Sequence, residues 1–549
     1  MDATTQPLGL ALSGGGFRAA LFHLGVLKRM REVNLLDKVD VISTVSGGSI
    51  TGAYWVYWQA TKGDTLNDDR EWDGFEASLI SFIRSGVRGR VMWRGLALPL
   101  VALSIVVLGS AWWLSAPASW VLGAGIASTV AAYLNWHYES SRLLQKEYDR
   151  RLFSDATMED LDFPGRNATK ARHWPRLIVN CTTLNTGHPI AFTHQHPSRG
   201  LPPWQSKNRR PRAHEETVSA LVRNWAPVPI PTNVAISKAV AASSCFPGAF
   251  TPIKLSLDSD LGSRLGGVYH RHAGRAYSIQ ILDGGVFDNR GMHALEWSGC
   301  KKFILSDASA AFRIQNHPST WQFFPPGRGV VFRVQDIIYS RASDLSHRNW
   351  RSKLDRDSYR HMTLSKAGGM GGMTEALCRF LAGIRTDLDR FSDVEISSLM
   401  FLGYNNVQME LYNAPRFNHG KYRDLSLEKL SSPPREFRFH SCDARICLDW
   451  MGMTTGLDHR EMEDKQLGIM RHLEASDSRF ALWRRFRRFR NKWRKQVYFL
   501  DYTLESQPRA LRRAVLEEFR RSQEAHERMR EKLRERMNQS KATRSGEPG

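Results

Sequence analysis

The fold is decided by one stretch near the N-terminus, Leu8 to Tyr54, which reads LGLALSGGGFRAALFHLGVLKRMREVNLLDKVDVISTVSGGSITGAY. Two short apolar runs in it, Leu8 to Leu12 and Val39 to Thr44, have the length and composition of buried strands. Each run is followed by a glycine-rich turn and then by a helical pattern. The order strand, turn, helix therefore occurs twice in succession, which predicts an α/β fold.

The first turn contains three successive glycines, Gly14, Gly15 and Gly16, followed by Phe17 and Arg18. Because glycine has no side chain, the backbone of this turn can fold so tightly that several of its N–H groups point at one spot. The turn is therefore a candidate anion cradle.

The second turn reads Thr44-Val45-Ser46-Gly47-Gly48, with the serine between a strand and a helix. This arrangement is typical of a nucleophile elbow, which presents the hydroxyl at the carboxyl end of the strand. A serine that attacks a carbonyl creates an oxyanion, and preorganised N–H donors stabilise it. One turn would supply the nucleophile and the other the oxyanion hole.

Two other interpretations of these turns remain open at this point. Phosphate binding is disfavoured because the first turn has neither the GxxxxGK[ST] of a P-loop nor the GxGxxG of a dinucleotide fold. A lone serine in a glycine-rich turn also occurs for packing reasons alone. The pair of turns in this order is the stronger signal.

Composition narrows the partners. The 549 residues carry a formal charge of +22, which attracts polyanions such as nucleic acid or an anionic membrane surface. The six cysteines form no CxxC pair, so the sequence predicts no metal site, disulfide framework or cofactor. The N-terminus has no basic region followed by a long apolar one, so we expect no secretory signal peptide.

A membrane hairpin is predicted over residues 95–136. Gly95 to Leu114 and Ala116 to Trp136 contain no charged residue, and each is about 20 residues long, enough to span a bilayer core. Basic residues flank both outer ends, so the positive-inside rule places these ends and the catalytic domain in the cytoplasm. The alternative is a helical hairpin buried in a large core.

An apolar strand from Tyr277 ends in Asp283-Gly284-Gly285. An aspartate at the carboxyl end of a strand is well placed to orient or deprotonate a serine, although Asp-Gly also marks an ordinary turn.

Four acidic residues further on lack the spacing of a calcium loop and favour a solvated helix pair over a metal site; they are Asp387, Asp389, Asp393 and Glu395.

The C-terminal part has a different character. Arg479 to Lys495 carries nine basic residues with aromatic residues between them at helical spacing. This favours a basic amphipathic helix on an anionic membrane; nucleic-acid binding and docking on the catalytic domain are weaker alternatives. Arg509 to Met537 is a mixed-charge helix suited to a protein contact. We divide the chain into a catalytic domain (1–420), an extension (421–475) and a helical tail (476–540).

Four of these features, in this order, resemble the patatin-like phospholipases over residues 8 to about 405. They are Gly14 to Arg18, the Ser46 turn, the segment Ser243 to Pro252, and Asp283-Gly284-Gly285. The resemblance implies a three-layer α/β/α fold and a Ser-Asp dyad, without histidine, that hydrolyses acyl esters of lipids as a phospholipase A or lysophospholipase.

When the functional residues of the family are matched position by position to this sequence, the resemblance makes Ser46 the nucleophile and Asp283 the base. Gly14, Gly15, Gly16, Phe17 and Arg18 correspond to the oxyanion loop, and Thr44, Val45, Gly47 and Gly48 to the elbow. Thr44 stands where the family motif has glycine, and a β-branched residue there crowds the turn. A catalytically impaired membrane scaffold is therefore the alternative function.

Overall fold

The structure, a computed structural model, describes residues 7–114, 118–162, 174–185, 187–194, 228–230, 233–247, 249–256, 278–309, 328–354, 358–364, 378, 381–391 and 393–412. The predicted extension at 421–475 and the helical tail at 476–540 lie outside these residues.

The chain divides into two compact units. The first comprises Met1–His23, Asp37–Asp307 and Arg385–Phe391, and the second comprises Leu24–Leu36, Ala308–Ile384 and Ser392–Gly549. The two glycine-rich turns and Asp283 all belong to the first unit.

The first unit contains eight of the nine described strands of a mixed sheet. They are β1 (Leu8–Leu12), β2 (Val41–Thr44), β3 (Arg176–Thr183), β4 (Pro189–Thr193), β5 (Val228–Ile230), β6 (Ile253–Ser256), β7 (Ser278–Asp283) and β8 (Lys302–Asp307). The order β5-β4-β3-β2-β1-β8 forms the main path, with β1, β2, β3 and β8 parallel. Strand β7 runs antiparallel to β3 and to β6. The predicted α/β fold is therefore confirmed.

Helices connect and cover these strands. They are α1 (Gly16–Glu32), α2 (Gly47–Thr61), α3 (Asp69–Ser85), α4 (Arg88–Met92), α5 (Leu98–Leu114), α6 (Ala118–Tyr148), α7 (Ile236–Ser243), α8 (Gly285–Asp288) and α9 (Met292–Trp297). Strands β1 and β2 are buried along their whole length, as is typical of parallel strands within a sheet. Because β1 and β2 are parallel, their carboxyl ends and the two turns that follow meet at one edge of the sheet.

The predicted membrane-spanning hairpin is not supported. Two helices do form there, but α5 has only 17 residues, roughly 26 Å at 1.5 Å per residue. Helix α6 has 31 residues and continues into a polar segment, where Ser140 and Ser141 contact the Thr251 hydroxyl. Within the described part of the chain, no helix combines the length and apolarity needed to cross a membrane. In the first segment a π-helical turn over Trp93–Ala97 precedes the regular α-helix, which begins at Leu98.

The second unit contains the C-terminal half of α1 with α10 (Arg328–Lys353), β9 (Tyr359–Thr363) and α11 (Asp393–Tyr412). Gly25 lets α1 approach α11 closely, since a Cβ there would lie 1.9 Å from the Met400 carbonyl oxygen.

Of the four acidic residues singled out in the sequence, Asp387 and Asp389 belong to the first unit, where both accept hydrogen bonds from Arg88.

Candidate active site

Ser46 lies in a sharp turn between the end of β2 and the start of α2. Its backbone has φ 50° and ψ −117°, a conformation that residues other than glycine rarely adopt. A nucleophile elbow holds its serine in this kind of strained turn, with the hydroxyl beyond the end of the strand. The local geometry is thus the one that the sequence motif predicts.

The elbow and the first glycine-rich turn are in direct backbone contact. A Cβ atom on Gly47 would lie 2.0 Å from the carbonyl oxygen of Gly16. One on Gly48 would lie 2.4 Å from the carbonyl oxygen of Leu12. Because ordinary carbon contacts are about 3.5–4.0 Å, any side chain at either position would separate the two turns. The glycines therefore keep the serine beside the candidate oxyanion hole.

The first glycine-rich turn lies next to the serine. A Cβ on Gly14 would lie 3.2 Å from Cβ of Ser46, so the two residues are neighbours. The Gly14 N–H donates to the carbonyl of Asn289 at 2.9 Å. Gly15 and Gly16 have φ of 141° and 56°, which turn the backbone into the start of α1. With the Gly14 amide already engaged, the amides of Gly15 and Gly16 are the candidate oxyanion donors.

Phe17 and Arg18 complete this loop from the inside. The Phe17 ring is fully buried and packs edge-on against Phe82 and Phe391, with centroids 5.6 and 6.2 Å away. Arg18 is only 3% exposed. Both side chains therefore hold the first turn of α1 in place and do not face solvent.

Asp283 is the last residue of β7 and is only 3% exposed. Its carboxyl group accepts a hydrogen bond from the Gly285 N–H at 2.8 Å, and the Ser46 side chain lies beside it. Burial raises the pKa of Asp283 to about 7, because the cost of burying a charge exceeds the opposing effects of the Gly285 N–H and the Ser46 side chain. Near neutral pH the carboxyl group can thus both accept and return a proton.

The β3–β7 pairing brings Asp283 to the serine from a distant part of the chain. Asp283 lies opposite Cys181 in this antiparallel pair, and its N–H donates to the Cys245 carbonyl at 3.2 Å. Gly284 permits the next step of the chain, since a Cβ there would lie 2.3 Å from the Asn180 carbonyl oxygen. Strand pairing and this glycine therefore set the position of the carboxylate.

Thr44 is accommodated at the end of β2. Its hydroxyl donates to the Ile178 carbonyl on β3 at 3.0 Å. Its methyl group fills the space left by Gly52 on α2, where a Cβ would lie 2.5 Å from Cγ2 of Thr44. The crowding expected of a β-branched residue is thus relieved by a second glycine.

His23 supports the site but carries no motif that reveals it in the sequence. Its Nε2 lies 2.9 Å from the Ser13 carbonyl oxygen and its Nδ1 lies 2.7 Å from the Ser306 hydroxyl. Burial lowers the pKa of His23 to about 4, so the ring is neutral. Since a carbonyl only accepts, Nε2 carries the proton and Nδ1 accepts from Ser306. His23 thereby fixes the residue before Gly14.

Asn180 is a second residue that sequence reasoning missed. Its side-chain amide donates to the Thr44 carbonyl at 2.9 Å and to the Ser43 hydroxyl at 2.8 Å. It therefore holds the end of β2 from the neighbouring strand. A single asparagine within an apolar strand gives no sequence signal for this role.

Comparisons with known proteins agree with this geometry at the family level. The model of the family "Patatin-like phospholipase" matches residues 10–295, more than half of the chain. A comparison with curated proteins finds no match.

Solved structures with a similar fold share little sequence with the chain. VipD from Legionella pneumophila is 13% identical with a TM-score of 0.31, covering 74% of this chain and 67% of that one. Human GIVD cytosolic phospholipase A2 is 12% identical with a TM-score of 0.36, covering 77% and 63%. Its complex with a methyl gamma-linolenyl fluorophosphonate inhibitor and terbium chloride is 12% identical with a TM-score of 0.35, covering 77% and 60%. The chain thus spans 60% to 67% of the length of these proteins.

Proposed function

Because the chain belongs to the patatin-like phospholipase family, and so to the lipid acyl hydrolases in general, we propose that it cleaves fatty-acyl esters of phospholipids or lysophospholipids. Ser46 and Asp283 form its catalytic dyad within a three-layer α/β/α catalytic domain. The observation that carries this proposal is the strained Ser46 elbow, packed against a glycine-rich turn and with its side chain beside the buried Asp283 carboxyl.

The first half-reaction forms an acyl-enzyme. The Asp283 carboxylate accepts the hydroxyl proton of Ser46 as Oγ attacks the ester carbonyl carbon. The resulting oxyanion accepts hydrogen bonds from the amides of Gly15 and Gly16 at the start of α1, where the helix dipole favours negative charge. Asp283 then returns the proton to the leaving alcohol, and the C–O bond breaks.

The second half-reaction releases the fatty acid. A water molecule attacks the acyl-enzyme while Asp283 accepts its proton, and the same amides hold the second oxyanion. Collapse of this intermediate returns the proton to Ser46 and frees the acid. A pKa of about 7 at Asp283 suits a group that must act as base and then as acid in each half-reaction.

A fluorophosphonate probe tests the proposal on the wild-type protein. We expect a covalent adduct at Ser46, located by peptide mass spectrometry, and slower labelling when lysophosphatidylcholine competes. In parallel, fatty-acid release should be measured from phosphatidylcholine vesicles and lysophosphatidylcholine micelles. An unlabelled Ser46 in folded protein, with no acid released, would contradict the proposal and favour the non-catalytic scaffold.

We further propose that the α5–α6 hairpin docks on the surface of a phospholipid membrane. Large apolar side chains of both helices are exposed; they are Val101, Ile105, Val106 and Leu108 on α5 and Ile126, Val130, Tyr133 and Leu134 on α6. Helix α5 carries no charged residue on any side, whereas a helix that binds a protein partner needs only one apolar stripe. An exposed apolar surface of this kind is typical of a contact with a membrane.

Charge at the base of the hairpin favours an anionic lipid. Arg90 and Arg94 share the single carboxylate of the buried Glu147, which leaves net positive charge there. Arg142, with a side chain 68% exposed, lies with Glu147 on α6 and forms an ion pair with Glu139 at 3.3 Å. Basic groups beside an apolar surface attract phosphate head groups.

Charged substitutions on the hairpin test this docking. Replacing Ile105 and Ile126 together by glutamate should lower co-sedimentation with phosphatidylserine-containing vesicles at least roughly tenfold, because two apolar side chains are lost from the lipid contact. Hydrolysis of a soluble short-chain ester should not change. Leu345→Glu on α10 is the matched control, since its exposure of 67% equals the 66% of Ile105. Equal sedimentation of the double variant and the control would rule the hairpin out as the docking surface.

A further inference from the structure

The nucleophile is held by a residue that the proposed chemistry does not use. The backbone N–H of Ser46 donates to Oγ of Ser243 at 2.9 Å, although the two residues are 197 positions apart. Ser243 is the last residue of α7 and is fully buried. This hydrogen bond is made by Ser46, the one residue of the elbow that has a strained, positive φ.

The backbone N–H of Ser46 can only donate, so Oγ of Ser243 is the acceptor, and the bonds of the neighbouring hydroxyls agree with this. The Ser243 hydroxyl donates to the Asn180 carbonyl at 2.7 Å, and the Thr44 hydroxyl donates to the Ile178 carbonyl. Both protons are thus committed to carbonyls of β3, which can only accept. The hydroxyl of Ser49 donates to Oγ1 of Thr44 at 3.1 Å and lies 2.9 Å from Oγ of Ser243. Oγ of Ser243 therefore faces the Ser46 amide as an acceptor.

The same short segment also holds the base. Two residues after Ser243, the carbonyl of Cys245 accepts the N–H of Asp283. The end of α7 thus binds the backbone of Ser46 through a side chain and the backbone of Asp283 through a carbonyl. Strand β3 completes the arrangement, because Asn180 receives the Ser243 hydroxyl and donates to the Thr44 carbonyl.

We infer that Ser243 is a positioning residue, which holds the Ser46 elbow in its strained conformation and fixes its spacing to Asp283. This inference rests on the proposed function for its catalytic consequence, but its structural content is independent of activity. An error of about 1 Å in the placement of a nucleophile can cost roughly 100-fold in rate. Because Ser243 is fully buried, we expect it to affect turnover and not substrate binding.

Removal of one hydroxyl tests the inference. Ser243→Ala should lower kcat roughly 10- to 100-fold and slow fluorophosphonate labelling of Ser46 in proportion, with KM within about twofold of wild type. Ser237→Ala is the matched control: it lies on the same helix, is equally buried, and its hydroxyl has no hydrogen-bond partner among the described residues. We expect wild-type kcat and labelling for this control.

Two further measurements separate positioning from packing and from a failure of the proposed function. Ser243→Cys keeps the shape but accepts hydrogen bonds weakly, so it should stay slow; full recovery of kcat would assign the effect to packing and overturn the inference. Amide hydrogen exchange of peptides covering residues 45–50 should be faster in Ser243→Ala and unchanged in Ser237→Ala, whether or not the enzyme hydrolyses any ester tested. Unchanged exchange and kcat in folded Ser243→Ala would also overturn it.

Discussion

Replacing Asp283 by asparagine should lower kcat for ester hydrolysis by roughly 10²- to 10⁴-fold, the usual contribution of a general base. Asparagine keeps the size of the side chain and can still accept the Gly285 N–H, but it cannot take the proton of Ser46. In the wild type, kcat/KM should fall tenfold per pH unit below a pH of about 7, the pKa of Asp283.

The same substitution should stabilise the folded protein in alkaline solution. Burial raises the pKa of Asp283 from 3.8 in the unfolded chain to about 7, so folding favours the protonated form. The contribution of this carboxyl to stability is complete below pH 3.8 and is lost as the pH rises through about 7. At pH 8 and above the buried carboxylate costs on the order of 4 kcal/mol, at 1.36 kcal/mol per unit of pKa. Asparagine removes this cost.

Unfolding by urea at pH 5, 6, 8 and 9 measures the effect. We expect the free energy of unfolding of Asp283→Asn to exceed that of the wild type at pH 8 and 9, with a smaller difference at pH 5. Ser46→Ala is the matched control, since it also abolishes catalysis but keeps the buried carboxyl and hence the pH dependence. A wild-type rate that stays level from pH 8 to pH 5 would exclude Asp283 as the base.

The candidate elbow and the candidate base could be named from the sequence because each motif is local. Two features can each be recognised from a few neighbouring residues: a serine between a strand and two glycines, and an aspartate at the end of an apolar strand. Their partnership was not readable from spacing, and it entered through the family resemblance. The structure joins Ser46 to Asp283 by the antiparallel pairing of β7 with β3, a contact between distant strands.

The supporting residues could not be predicted for the same reason. Ser243 reaches Ser46 from α7, and His23 reaches the Ser13 carbonyl from α1. Each is an ordinary polar residue among apolar neighbours, and its role depends on which carbonyl or amide the fold brings to it. The membrane-spanning prediction is not supported, because no helix among the described residues has both the length and the apolarity to cross a membrane.

The second large effect is expected at Gly47. In Gly47→Ala the added methyl would lie 2.0 Å from the Gly16 carbonyl oxygen, which belongs to the backbone and cannot rotate away. Either the elbow or the oxyanion turn must move, and overpacking of this kind costs about 3 kcal/mol or more. The free energy of unfolding should fall by this amount, and kcat should fall with it because the hole separates from the nucleophile.

Gly123→Ala provides the matched control for this substitution. Gly123 also lies within a helix, but a Cβ there meets nothing within 4 Å, so alanine should raise stability by about 0.5–1 kcal/mol through its helix propensity. Urea unfolding and kcat of the two variants can be compared directly. Equal stability in both would contradict the contact between the two turns. If the free energy of unfolding falls in Gly47→Ala and rises in Gly123→Ala, the second turn needs its glycine because the first turn packs against it.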